Sequence, residues 1–231
     1  MVVVAHPDDE VLGLGGTMNH LISECNCNVR VVILGEGITS RDEKRDVQSQ
    51  TRALKIHREN IEKARQVIGY HAVAIYDFPD NRFDDVNLLD IVKVIEKEKN
   101  DFQPDFIFTH HGEDLNIDHR LTFEAVLTAS RPMKDERLSG ILTFETPSAT
   151  EWRAYNPSLV FCPNYFYSIG EKNLDAKIQG MESYEYERRT SPHPRSPEAL
   201  RILAKRYGSI VGCDYAEPFN IIRMVERIED A

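Results

Sequence analysis

Cysteine is scarce in this sequence, with four in 231 residues. Only Cys25 and Cys27 stand close together, and no second pair follows at zinc-ribbon spacing. That argues against a disulfide framework and leaves free thiols as the expectation. Long apolar runs are missing too. No stretch approaches the roughly 18 residues that a membrane span requires. The apolar run behind Met1 is too short for a secretory leader and has no basic residues before it, so a reducing cytoplasm is the expected setting. Positive charge is in deficit. Lys and Arg number 28 against 38 Asp and Glu, a net charge of −10. Nucleic acid and anionic membranes call for basic surfaces, so neither is an expected partner. No internal repeat or low-complexity tract breaks the chain.

What is present is a foldable core and a regular alternation. Hydrophobic residues make up 41% of the chain and charged residues 29%, a balance that disorder does not show. Apolar runs at 2–5, 29–34, 72–76, 106–108 and 141–144 read as strands. Between them, 12–24, 43–68, 86–97 and 121–129 read as helices. Strands separated by helices predict an α/β, Rossmann-like, mostly parallel sheet with helices on both faces. Right-handed crossovers then gather the β-to-α turns on one edge. After Pro147 the pattern loosens. A strand is expected at 165–169, helices at 176–188 and 197–207, and a rigid three-proline loop at 190–197. One domain over 1–231 is expected, with a C-terminal elaboration from about residue 148.

The densest chemistry follows the first strand. Ala5-His6-Pro7-Asp8-Asp9-Glu10 delivers one histidine and three carboxylates into the strand-to-helix turn, at the sheet edge where ligands bind. Like charges beside a buried strand are costly without a cation among them. His6 and Asp9 suit zinc or a similar divalent ion, while Asp8 between them is expected to point elsewhere and stay free. Asp114-Leu115-Asn116-Ile117-Asp118-His119-Arg120, after the fourth strand, offers His119 as a third ligand. His110 and His111 are expected behind it. Gly13-Leu14-Gly15-Gly16 lacks the dinucleotide spacing, and three acids stand where a phosphate would approach, so close packing of the first helix is the better reading.

The segment AHPDDEVLGLGG resembles the signature of the LmbE-like (PIG-L) zinc-dependent N-acetyl-sugar deacetylases. The later D-x-N-x-D-H-R stretch resembles their second motif, and Tyr215-Ala216-Glu217-Pro218-Phe219 resembles a segment of some members. The resemblance implies an LmbE-like fold and hydrolysis of an acetyl group from an amino sugar, GlcNAc or a GlcNAc conjugate. It implies one zinc, or iron in the cell, on His6, Asp9 and His119, with Asp8 as general base. A homotrimer or homohexamer is implied as well.

One position departs from the pattern. Many members carry a histidine where this chain has Asn116. An amide can donate a hydrogen bond to the substrate but supplies no charge, and losing an oxyanion donor costs about 10²–10³ in turnover. His193 in the proline loop is the expected replacement, since some oligomeric relatives bring a late histidine in from a neighbouring subunit; the alternative is an ordinary surface histidine. Arg58 and Asp80 are expected to bind substrate, through a cation and a carboxylate that accepts sugar hydroxyls. Their alternatives are a solvated helix face and a turn aspartate. Two competitors stand beside the deacetylase. One is a metal-dependent phosphoesterase, which usually needs two close metals. The other is a sugar- or nucleotide-binding module with a relict metal site.

Overall fold

The computed structural model describes residues 1–41, 45–134, 136–153, 156 and 158–226. Five parallel strands come first: β1 (Val2–Val4), β2 (Arg30–Gly35), β3 (Ala72–Phe78), β4 (Phe106–His110) and β5 (Gly140–Phe144). β6 (Tyr165–Ile169) and β7 (Tyr215–Met224) complete a seven-stranded sheet in the order β3-β2-β1-β4-β5-β7-β6. The sheet is mostly parallel, as the alternating pattern predicts. β7 is the exception, antiparallel to both of its neighbours.

The period-2 geometry of the strands sorts their side chains into two cores. Val2, Val4, Val31 and Ile33 pack with α1 (Asp9–Ser23), α2 (Thr51–Ile68) and α5 (Glu171–Glu182). Val3, Ala5, Val32 and Leu34 pack on the other face, with α3 (Leu88–Phe102) and α4 (Ile117–Ala129). α6 (Pro197–Val211) contacts β7, and its N-terminus is capped by Ser196, whose Oγ accepts the Ala199 N–H at 3.2 Å. All four cysteines are free. Among the described residues, no helix is long and apolar enough to cross a membrane.

The chain winds from β1 to β2 and β3 on one side, then returns to β4 on the other side of β1. The strand order therefore reverses between β1 and β4, and the carboxyl ends of these two strands frame a crevice. Open α/β sheets bind ligands in such a crevice.

Several boundaries differ from the sequence expectation. The second helix begins at Thr51, not near 43. Residues 42–44 lie outside the described set, and 47–50 are turns. The Asp46 carboxylate accepts the N–H groups of Gln48 and Ser49 at 3.0 and 3.1 Å, a local bond that competes with helix. α4 starts four residues early because Asn116 Oδ1 caps the Asp118 N–H at 2.8 Å. α5 lies earlier than expected, ending at Glu182 rather than near 188.

The sequence reading places no strand at β7, which carries Pro218, a residue that cannot donate to a ladder. The register explains how the proline is tolerated. The β5 ladder stops at Thr143↔Asn220, so Pro218 lies where β7 pairs with β6 alone. Inserting β7 between β5 and β6 also draws the chain after residue 148 into the same sheet.

α1 is broken. Leu14 has φ −149° and ψ 28°, outside helical space, so the N–H groups just beyond it lack the usual helical acceptors. The Glu217 carboxylate of β7 takes two of them, Gly16 at 3.1 Å and Thr17 at 2.6 Å. Lys177 Nζ of α5 pairs with the same carboxylate at 2.6 Å, and both side chains are buried. The neighbouring glycines permit the approach. A Cβ on Gly13 would sit 2.3 Å from the Phe144 ring, and one on Gly16 would sit 2.7 Å from Ile169.

Removing one member of this pair strands the other charge. Glu217→Ala is therefore expected to lose about 3–5 kcal/mol of stability. The double substitution Glu217→Gln, Lys177→Met should lose clearly less. Denaturant unfolding of both proteins checks the order.

Candidate active site

The turn after β1 is tight and strained. Asp8 has φ 102°, in the left-handed region that side chains avoid. Such conformations cost about 1–3 kcal/mol and persist where surroundings fix them. Here the Asp8 carbonyl accepts the Val11 and Leu12 N–H groups at 3.0 and 2.9 Å, and the Asp8 N–H donates to Glu10 Oε2 at 3.1 Å. The His6 N–H donates to Asp9 Oδ2 at 2.8 Å. The result is a turn that holds three consecutive carboxylates, all buried.

His6, Asp9 and His119 come together at the crevice. Asp9 Oδ2 lies 3.5 Å from His6 Nδ1 and 3.4 Å from His119 Nε2, and the three donor atoms are mutually within 4.8 Å. Bonds of about 2.0–2.2 Å at tetrahedral angles separate donor atoms by roughly 3.3–3.6 Å. The two separations from Asp9 match those around one small divalent ion, and the two-imidazole, one-carboxylate set suits zinc-like ions.

The nitrogens turned away from that centre meet carboxylates. His6 Nε2 is 2.8 Å from Asp118 Oδ2, whose carboxylate also accepts the Asn81 and Phe83 N–H groups at 2.6 and 2.9 Å. His119 Nδ1 is 3.2 Å from Asp114 Oδ1, a close charge contact. Asp114 is fixed in turn by the Asn116 N–H at 2.9 Å and Thr150 Oγ1 at 2.6 Å. Each imidazole is thereby aimed with its other nitrogen toward Asp9, the usual outer support of a metal-binding histidine.

His6, Asp80 and Asp118 form a second cluster of the same size. Its oxygens are occupied. Asp80 Oδ2 accepts from the Ser40 N–H and Oγ at 3.1 and 2.7 Å, and Oδ1 accepts from Asn81 Nδ2 at 3.0 Å. These bonds make the cluster a hydrogen-bonded brace beside the first. His110 is also spent. Its Nε2 accepts the Ala5 N–H at 2.9 Å, leaving Nδ1 to donate to Thr146 Oγ1 at 3.1 Å. Burial, reinforced by His119, holds its pKa down at about 3, and its ring stacks on His119 at 3.9 Å.

Asp8 is not free, contrary to the sequence expectation. Arg195 Nη1, from the proline loop, donates to Asp8 Oδ2 at 2.6 Å and to Glu187 Oε2 at 3.3 Å. A carboxylate buried beside Asp9 and Glu10 needs a counter-charge, and the loop supplies it. Burial still pushes the Asp8 carboxyl well above the usual range, against the pull of Arg195. Burial also raises Glu10 to about 7, although Tyr184 Oη donates to it at 2.5 Å.

The crevice opens into a cavity of about 550 Å³, lined among others by His6, Asp8, Asp9, Asp80, Asn116 and His119. Asn116 is tied on both sides, accepting from the Asp118 N–H and donating through Nδ2 to Asn81 Oδ1 at 3.0 Å. Arg58 does not line this cavity; it pairs with Asp77 at 2.8 Å, both exposed. Nor does His193, whose ring packs edge-on against Trp152 and whose Nδ1 accepts the Arg195 N–H at 3.2 Å. Sequence reasoning missed Arg195, Asp114 and Asp118. Asp114 and Asp118 stood inside the quoted second motif, and Arg195 stands two residues beyond His193.

A sequence profile of the family described as "PIG-L: GlcNAc-PI de-N-acetylase" matches residues 1–130. A diacetylchitobiose deacetylase of Thermococcus kodakarensis is 24% identical over 232 residues, covering 96% of this chain and 82% of that protein. Among solved structures, the N,N'-diacetylchitobiose deacetylase from Pyrococcus horikoshii has a TM-score of 0.71 at 22% identity, covering 96% of this chain and 82% of that one. A 4-carboxy-2-hydroxymuconate hydratase from Pseudomonas putida has a TM-score of 0.72 at 20% identity, covering 99% and 98%. Structural likeness at these identities establishes the fold.

Asp118→Asn should keep the fold but weaken metal binding about 10–100-fold, because the charge that orients His6 is lost. Competition with a chelating dye measures it. A pH effect follows from His119. Burial lowers its pKa, but Asp9 and Asp114 outweigh burial and hold it at about 9 without metal. A raised folded pKa contributes stability that is full below about 6.5 and lost as pH climbs through about 9. Apo-protein stability should therefore fall across that window. Metal affinity should rise across it, because binding must displace the proton. Thermal melts and dye competition at each pH check the opposite slopes.

Proposed function

The chain belongs to the PIG-L, GlcNAc-PI de-N-acetylase family, whose profile spans more than half of it, and from that premise we propose that it is a metal-dependent hydrolase removing the acetyl group from an N-acetylated amino sugar. The observation that carries the reading is the single-ion spacing of His6, Asp9 and His119 with the Asp8 carboxylate on the wall of the same cavity. Zinc is the ion proposed, with iron as its cellular alternative. The deacetylase relatives support the substrate class.

A divalent ion on these three residues would supply Lewis acidity, polarising the acetamide carbonyl and acidifying water. The chain's own groups do the rest. Asp8 accepts a proton from the attacking water and returns it to the departing amine. Burial, which favours its protonated form, suits it to both halves of that cycle. Arg195, bonded to Asp8 and to Glu187 at the cavity wall, holds the Asp8 carboxylate in place and balances its charge. Asp118 and Asp114 hold the two imidazoles in line. Asp80 and Asn116 shape the sugar side of the cavity. Arg58 and His193 stand outside it within one chain, so either would reach substrate only by moving or from a neighbouring subunit of the proposed homotrimer or homohexamer. A cytoplasmic setting belongs to the same reading.

The hydratase shows that this fold also serves a different class of reaction, and product analysis separates the two. The metal-loaded protein should release acetate from N-acetylglucosamine conjugates. Asp8→Asn should cut that rate about 10²–10⁴-fold while metal content stays stoichiometric. Metal bound with no acetate from any conjugate, or an unimpaired Asp8→Asn enzyme, would sink the proposal.

A further inference from the structure

The cavity holds a feature that deacetylation of one sugar does not use. Trp152 is the chain's one tryptophan. It lines the same cavity as His6, Asp9 and His119 and is 53% exposed. A large aromatic ring left this open at the wall of a cavity offers a flat apolar surface to whatever enters it. Its orientation is fixed rather than random. His193 meets the ring edge-on, with centroids 5.5 Å apart and planes at 81°. His193 is itself tied to its loop, its N–H donating to the Thr190 carbonyl at 3.1 Å and its Nδ1 accepting from Arg195. A T-shaped neighbour braces the indole and covers at most one of its two faces, so an exposed face is left for a ligand. Leu115, 46% exposed, is a second apolar side chain on the same cavity.

Charge narrows what can lie there. The described lining carries four carboxylates, Asp8, Asp9, Asp80 and Glu187, against one guanidinium, Arg195. That guanidinium is already engaged with Asp8 and Glu187. A divalent ion held by His6, Asp9 and His119 would offset part of this negative charge at that end of the cavity only. An anionic group on the aglycone, such as a phosphodiester, would meet carboxylates with no cation left to receive it. A neutral ring with an apolar face suits the indole at that wall. The volume, about 550 Å³, exceeds what one pyranose ring needs and lies in the range of about 300–1,000 Å³ of ordinary ligand pockets.

We propose that the substrate continues past the acetamido sugar into a second, uncharged sugar ring, which stacks on Trp152. This rests on the deacetylase reading above, and it makes Trp152 a residue that sets specificity for the part beyond the reacting sugar.

Because Trp152 is the sole indole, intrinsic emission reports on this position alone. The metal-loaded Asp8→Asn protein is titrated with N,N'-diacetylchitobiose, with GlcNAc and with the phosphate monoester of GlcNAc. The disaccharide should shift the emission and bind about tenfold more tightly than either monosaccharide. In the otherwise native enzyme, Trp152→Ala should collapse the kcat/KM preference for disaccharide over GlcNAc by about tenfold, and Trp152→Phe should restore most of it. An emission that ignores saturating disaccharide overturns the proposal. So does equal loss on both sugars in Trp152→Ala, or tighter binding of the phosphate ester. Absence of acetate from every sugar would defeat the deacetylase reading instead, and the emission titration would still decide whether a disaccharide sits on the indole.

Discussion

Three consecutive carboxylates, Asp8, Asp9 and Glu10, are each at most 2% exposed, and the molecule is arranged so that each has its own partner. Asp9 faces two imidazoles, those of His6 and His119. Asp8 faces Arg195. Glu10 takes the hydroxyl of Tyr184 at 2.5 Å, with Tyr70 at 3.5 Å. Buried charge of one sign is tolerated only when it is paired or neutralised by a proton, and here the partners differ. So do the outcomes. Asp9 is held well below the usual carboxylate range because its histidine neighbours outweigh burial, whereas burial carries Asp8 well above that range. Adjacent carboxylates with separated proton affinities are what a site needs if one is to bind an ion and the other to exchange protons.

Satisfying those charges organises the chain. His119 comes from the start of α4, Tyr184 from the turn after α5 and Arg195 from the proline loop. The last third of the sequence is therefore bound to the first dozen residues by electrostatics as well as by the β5-β7-β6 ladder.

The sequence made one part of this visible and concealed another. The alternating strands of the first 145 residues were legible because period-2 and period-3.6 apolar spacing is a local signal. His6, Asp9 and His119 were legible because each follows a recognisable strand end. Arg195 was not, since its partner Asp8 lies 187 residues away and nothing local marks a loop arginine as a buried counter-ion. β7 was hidden by Pro218, whose tolerance depends on where the neighbouring ladder stops. Residues 47–50, expected inside the second helix, form turns because the Asp46 carboxylate takes the Gln48 and Ser49 N–H groups. Asn116 shows the reverse case. Read as a weakened chemical group, it turns out to be a helix cap and loop tie, which an imidazole could not replace in the same way.

The break at Leu14 has a consequence for how the site tolerates change. A continuous helix is a lever, so a shift at Ser23 would be transmitted to Asp9 through the rigid hydrogen-bond ladder. Here the ladder is cut, and Glu217 gives the outer segment its own anchorage on β7. The inner turn can keep its aim on the crevice while the outer segment follows whatever packs beneath it. Drift in the peripheral surface of the first helix is thus insulated from the chemistry, much as a joint isolates a tool tip from its handle.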